Sequence, residues 1–325
     1  MKKRLHLNAS TELYLVLLLA VVLALLGVFA KGFYDVNNLM SILNRFSYIL
    51  IAAIGMNLII ITSNIDVSAG ALVSVICIIV AFVGKLGVGF WGLLIIAMIS
   101  GMILSTINAL VISKLKIPSI VATLAMALIY QGALPLLSGG SIYDLPESFT
   151  WLAFKAKLFG IIPASFLIAV VVAVIAILFM HYSKYSKKLY AIGNNINGAR
   201  LAGINVDVVV ILSFTIAGLL YGITGVIIAT ASQRVTPTMA NGMEMMFIAA
   251  VVLGGTSTMG GSGRVLGTVF GSLILAIVGP AINFVGISPD WSNAVTGLII
   301  IISVISTTFE RKKKRVFEDM ERAGK

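Results

Sequence analysis

The chain has 325 residues, of which 59% are hydrophobic and only 11% charged, with a mean hydropathy of +1.09. Such a composition excludes a water-exposed globule, so the chain reads as an integral membrane protein. The formal net charge of +11 would point to nucleic acid in a soluble chain, but here basic residues are read by position, because they favour cytoplasmic loops. No nucleic-acid partner is expected. The single cysteine, Cys77, lies in an apolar run and allows no intrachain disulfide.

Apolar runs of about 15 to 23 residues fit helices crossing a hydrocarbon core of about 30 Å, with some tilt or shortfall. Ten occur in chain order, near Leu13 to Ala30, Tyr48 to Thr62, Gly70 to Gly84, Trp91 to Ile112, Ile120 to Leu137, Ala164 to Met180, Val208 to Thr230, Met243 to Gly254, Val265 to Phe284 and Ser292 to Thr308. The first follows Lys2, Lys3 and Arg4 in the manner of a signal peptide. Its apolar length of about 18 exceeds the usual signal core, so it reads as an uncleaved span.

If the N-terminus is inside and the chain alternates sides, the interior pieces are 1 to 12, 63 to 69, 113 to 119, 181 to 207, 255 to 264 and 309 to 325. They hold 17 of the 23 Lys and Arg residues. The exterior keeps Lys31, Arg45, Lys85, Lys155, Lys157 and Arg234. That bias fits the positive-inside rule, and the reversed topology would invert it. The expected fold is an all-α membrane protein: one transmembrane domain over 1–325, a polytopic bundle of about ten transmembrane helices with both termini cytoplasmic. The Arg311 to Arg315 cluster reads as a stop-transfer anchor beside membrane lipid.

Residues 181 to 207 form the longest interior loop, which includes LYAIGNNINGARLAGINVD, Leu189 to Asp207. Ile192, Ile196 and Ala199 fall at i, i+4 and i+7; Asn194 or Asn195 can cap a helix start and Gly203 can close its end. A helix of about two turns is predicted, too short to be stable in water without something to pack against.

Three stretches carry a resemblance over nearly the whole chain: AIGNNINGARLAGI (Ala191 to Ile204), VLGGTSTMGGSGRVLGTVFG (Val252 to Gly271) and IDVSAG (Ile65 to Gly70). The sequence resembles the permease subunits of bacterial ATP-binding-cassette (ABC) importers, in particular the branch that takes up ribose, galactose, xylose and related sugars, including autoinducer-2. The resemblance implies a multi-pass protein of the bacterial inner membrane, with a coupling helix in the interior loop that docks onto a separate cytoplasmic ATPase. Gly193, Asn194, Asn195, Ala199, Arg200, Leu201 and Gly203 are the coupling residues it implies. Further partners are an extracytoplasmic sugar-binding protein and a second permease copy or a paralogue. Ser63 and Asn64 stand where the family usually has a glycine pair, Gly198 where alanine is common and Ala202 where serine is common.

A phosphate-cradling loop needs a glycine-lysine pair followed by Ser or Thr, and Gly84-Lys85 is followed by Leu86. No catalysis and no cofactor are expected in this chain, with ATP and magnesium on the partner ATPase. The glycines from Gly254 to Gly263 read as a tight interior re-entry. Gly263, Gly267 and Gly271 repeat every four residues, as do Gly218 and Gly222, so their helices can present backbone to a neighbour in this chain or in a second copy.

Asp66 lies in a polar break, Thr62 to Ser68, and either lines a path or caps the next helix; Glu244 opens the eighth span, where a carboxylate suits a helix N-terminus. His6 and His181 lie apart at membrane edges, and no metal site is expected. A neutral sugar needs hydrogen bonds, for which Asn57, Asp66, Ser68, Asn108, Thr123 and Gln131 are candidates, each equally able to bond between helices. The exterior segment 138 to 163 carries Phe149, Trp151, Leu152 and Phe154, as a gate, a docking surface or an interfacial helix. The alternative function is a stand-alone facilitator or secondary transporter for a small polar solute.

Overall fold

The computed structural model describes residues 9–30, 32–139, 143–144, 157–158, 161–232, 234–286, 288, 291, 294–299 and 301. Its helices are α1 (Ala9–Phe29), α2 (Val36–Ile61), α3 (Ala69–Lys85), α4 (Phe90–Leu115), α5 (Ser119–Ser138), α6 (Ala164–Tyr182), α7 (Lys184–Asn194), α8 (Ile196–Leu201), α9 (Val206–Ser232), α10 (Met243–Leu253) and α11 (Val265–Phe284). Four two-residue strands complete the element set: β1 (Tyr143–Asp144), β2 (Lys157–Leu158), β3 (Ile162–Pro163) and β4 (Arg234–Val235). β1 pairs antiparallel with β4, tying the segment after α5 to the segment after α9, while β2 and β3 form a small antiparallel pair before α6.

Among the described residues, α2, α4, α5, α6, α9 and α11 are long and apolar enough to cross a membrane. α1, α3 and α10 supply shorter apolar helices. At 1.5 Å per residue, the 11 residues of α10 span only about half of a hydrocarbon core. The tenth expected span falls mostly outside the described residues, as do the exterior aromatics Phe149, Trp151, Leu152 and Phe154 and the Arg311 to Arg315 cluster.

Burial sets the layers. α2 is 83% buried over its apolar window and forms the centre, touching α6, α7, α9, α10 and α11, whereas α6 is 17% buried and lies at the periphery. α2 also begins earlier than the sequence indicates, because the stretch before Tyr48 is helical from Val36, with the Asp35 carboxylate accepting the Asn37 amide at its start. Arg45, expected in an exterior connection, is consequently inside α2, its guanidinium stacked against Gly279 of α11 and near the Met246 sulfur.

α4 and α9 make the most extensive helix pair. Gly101 and Gly218 face each other so closely that a methyl group on either would overlap the other's carbonyl, and Gly222 lies against the backbone of Ala97 and Met98. Ser105 donates to the Phe214 carbonyl at 2.7 Å across the same seam. A second glycine seam joins α10 to α11, with Gly267 against Gly254 and Gly271 against Ala250. Both seams are therefore internal to one chain. Gly263 belongs to neither: it precedes α11 and packs on the Thr256 side chain, because the helix starts only at Val265.

Candidate functional site

Three connections converge at one end of the bundle: the break after α2, the end of α7, and the turn between α10 and α11. The Gly261 amide donates to the Ile61 carbonyl at 2.9 Å. The Ser63 hydroxyl reaches the Met259 carbonyl at 2.7 Å and the Gly193 carbonyl at 3.2 Å. Asn194 donates through Nδ2 to the Gly261 carbonyl at 3.2 Å, and the Tyr190 hydroxyl to the Gly263 carbonyl at 2.9 Å. Burial pushes the Tyr190 phenol above its usual range, partly offset by Arg264, so it keeps its proton and stays a donor. Gly193 is obligatory in this packing, since a side chain there would overlap the Ile61 carbonyl and the Gly261 amide.

The turn itself is tight. Ser257 N bonds to Ser262 O at 3.0 Å and Gly260 N to Ser257 O at 2.9 Å, as the expected re-entry requires. It is anchored from within the bundle by Asn57, whose Nδ2 donates to Thr256 and Thr268 Oγ1, each at 2.8 Å.

The segment 181–207, expected on the interior, holds two short helices, not one. Ser183 caps α7 by accepting the Tyr185 amide at 3.0 Å, and Ser186, Leu189 and Ile192 bury its inner face. Asn195 ends α7 and starts α8, its side chain accepting the Gly198 amide at 2.9 Å. Asn194, also considered as a cap, instead bonds to Tyr190 O and Gly261 O. Gly203 closes α8 in the left-handed conformation, φ 77°, with its amide bonded to Arg200 O and the Ile204 amide to Ala199 O, both at 3.0 Å. This pair of bonds is the Schellman arrangement.

α8 turns only Ala199 inward, at 4% exposure, and presents Ile196, Arg200 and Leu201 outward, with Leu201 91% exposed. Beside it an open cleft runs to the ion pair of Lys116 Nζ with Asp207 Oδ1, 2.8 Å apart.

A second polar group fills the broken connection between α2 and α3. Asp66 Oδ1 accepts the Ser68 amide at 3.0 Å and hydroxyl at 2.5 Å; Asn108 donates to Ser68 Oγ at 2.7 Å; and Tyr130 donates to Asn108 Oδ1 at 2.7 Å. Thr123 accepts the Val67 amide at 3.0 Å. Ser68, not Asp66, occupies the N-cap position of α3, and Asp66 forms an Asx turn just ahead of it. Of the six candidate path residues the structure brings together Asp66, Ser68, Asn108 and Thr123. Asn57 serves the turn between α10 and α11, and Gln131 is half-buried next to Tyr130. Glu244 sits in the first turn of α10 against Gly70, where any side chain at position 70 would overlap its carboxylate.

Sequence reasoning missed α7, although Ser183 before a run with Ser186, Leu189 and Ile192 on one face was a usable signal. It also left Tyr190 without a role. Nothing in its spacing announces a bond 73 residues away.

A polytopic apolar bundle, broken at a buried polar connection and carrying a short outward-facing helix at a hydrogen-bonded junction, is the architecture of a multi-pass membrane protein. The comparisons agree. The chain belongs to the family described as branched-chain amino acid transport system / permease component, whose model matches residues 38–304. It is 32% identical over 292 residues to the ribose import permease protein RbsC of Escherichia coli (strain K12), covering 88% of this chain and 90% of that one. It is 30% identical over 279 residues to the autoinducer 2 import system permease protein LsrC of Yersinia pseudotuberculosis serotype O:1b (strain IP 31758), covering 86% and 79%. No solved structure matches. The protein is a multi-pass inner-membrane permease subunit of an ABC importer, a transport subunit whose ATPase activity lies in separate subunits.

Proposed function

We propose that the chain carries a monosaccharide, a ribose-like pentose or a hexose, or a related small sugar such as autoinducer-2, across the membrane. In this reading it has ten spans with both termini cytoplasmic, and it pairs with a second copy or a paralogue. An extracytoplasmic binding protein delivers the sugar, and two cytoplasmic ATPase subunits hold ATP and magnesium.

The observation that carries the coupling role is the outward face of α8. A six-residue helix does not persist on its own backbone bonds, and an almost bare Leu201 beside Arg200 is an apolar and basic surface awaiting a partner. The segment 181–207 is thus the coupling loop, with Ile196, Arg200 and Leu201 toward the ATPase and Gly193, Asn194, Asn195, Ala199 and Gly203 shaping and seating the pair of helices. Closure of the ATPase dimer pushes α8, and the junction passes that displacement into the bundle, a bound partner biasing a two-state element.

For the sugar path, Gln131 and the unbonded carboxylate oxygen of Asp66 offer spare hydrogen-bonding capacity among the described residues. Asn57, Ser68, Asn108 and Thr123 contribute through the connections they hold in place.

Leu201→Asp tests the coupling role. In a reconstituted complex of this chain with its ATPase and binding protein, the variant should insert and fold as the parent does, because the side chain is exposed. Its stimulation of ATP hydrolysis by sugar-loaded binding protein should vanish, with ribose as the first sugar tried. Retained stimulation, or ribose flux in liposomes containing this chain alone, would refute the reading.

A further inference from the structure

Ser63 adopts φ 63°, a left-handed conformation that glycine takes freely and a serine takes at a cost. Backbone geometry alone therefore favours glycine at this position, and what serine adds there is its hydroxyl. Its single hydroxyl proton is shared between two carbonyls, Met259 at 2.7 Å and Gly193 at 3.2 Å. Those carbonyls belong to different segments: Gly193 to the last turn of α7, just before the Asn195 cap of α8, and Met259 to the turn between α10 and α11. Gly260 packs directly on the hydroxyl, with no room for a side chain. From the far side, Asn57 fastens the same turn to α2 through Thr256 and to α11 through Thr268.

We propose that Ser63 is a positioning residue for transport: its hydroxyl ties the displacement of α7 and α8 to the Gly254–Gly263 turn, so that the two move as one body. The proposal rests on the reading that α8 docks on the ATPase. Other contacts hold the same parts together, namely Ile61 to Gly261, Asn194 to Gly261 and Tyr190 to Gly263. Ser63 differs in that one atom touches both parts while standing on α2's own extension, where it registers the two against the bundle centre.

Two substitutions separate hydroxyl from backbone. Ser63→Gly removes the shared bond and relieves the strain; Ser63→Ala removes the bond and keeps the strain. Hydrogen exchange of the assembled importer is measured with and without a non-hydrolysable ATP analogue. In the parent complex the nucleotide should change protection at 184–201 and at 254–263 together. In both variants the response at 254–263 should fall about 5- to 10-fold, the worth of one hydrogen bond, while 184–201 responds as in the parent. A parent-like response of the turn in Ser63→Gly overturns the proposal, because the position then serves only as a turn. Should Ser63→Ala fail to assemble, Ser63→Gly alone decides. Leu201→Asp run in parallel distinguishes the two ideas: if it leaves the nucleotide response of 184–201 intact, the docking reading fails and takes this proposal with it; if it abolishes that response while the Ser63 variants behave as the parent, only the Ser63 proposal fails.

Discussion

The seam between α4 and α9 and the junction around Ser63 hold the molecule together by opposite means. In the seam, Gly101, Gly218 and Gly222 bring two antiparallel backbones into direct contact, and the few polar bonds, such as Ser105 to Phe214, run across it as single stitches. At the junction the contacts are short, directional and spread over three separate segments, with Ser63, Gly260 and Gly261 all at positive φ. Close packing admits no intermediate arrangement, because interiors packed to crystal density have nowhere to slide. A cluster of hydrogen bonds between loops can shift as a unit or exchange partners at modest cost, each bond having a net worth of about 0.5–1.5 kcal/mol. The first resists any shift, and the second is the place where the proposed push would enter the bundle.

That contrast breaks most visibly in the seam. Gly218→Val would drive a side chain into the Gly101 carbonyl and the Ser105 Cβ, and neither backbone can retreat. The expected loss is at least about 1–3 kcal/mol of stability from overpacking, read as a lowered melting temperature of the detergent-solubilised protein, with a Gly101→Val variant failing in the same way. A seam variant as stable as the parent would mean that α4 and α9 stand further apart than described.

A smaller effect is expected where the junction enters the bundle. Asn57→Leu removes both bonds to Thr256 and Thr268, and only Thr268 keeps a further bond, to the Arg264 carbonyl, for a cost of about 1–3 kcal/mol. Its distinguishing mark is faster hydrogen exchange in 254–263 with α4 and α9 unaffected; uniform loosening of the whole bundle would argue against a separate junction.

The smallest effect belongs to Lys116 and Asp207. Their side chains are 59% and 35% exposed, and a pair so accessible to solvent is worth about 0–1 kcal/mol. Lys116→Ala should leave thermal stability and nucleotide-stimulated protection of α8 almost unchanged, and a large effect of either kind would make the cleft beside α8 part of the junction.

How much of this was legible beforehand differs between the same two regions. The seam was readable in part, because Gly218 and Gly222 at four-residue spacing announce a helix face with no side chains, and so do Gly267 and Gly271. The partner helix was not readable, since spacing says that something approaches closely and not what. Gly263 misled for a related reason: it continues the four-residue spacing but stands before the first turn of α11, where a loop glycine serves a different purpose. At the junction, the Asn195 cap and the Gly203 closure were legible as local chemistry. Tyr190, Ser63 and Asn57 were not, because each finds its partner in a segment remote in sequence. Arg45 was misassigned for want of an apolar run around it, although a long helix tolerates one cation where a neighbouring glycine leaves room for the guanidinium.

By itself the sequence determined the apolar, membrane-spanning character, the Asn195 cap and Gly203 closure of α8, and the family, because each of these depends on residues within a turn or two of one another or on an overall likeness. Only the tertiary structure decided which glycines meet, that the break after α2 lies against both α7 and the turn before α11, and that Asn57 and Asn108 spend hydrogen bonds on buried side chains of other segments. Those outcomes depend on how helices far apart in the chain are brought side by side, and bonds of a few ångströms between such segments leave no periodic trace along it.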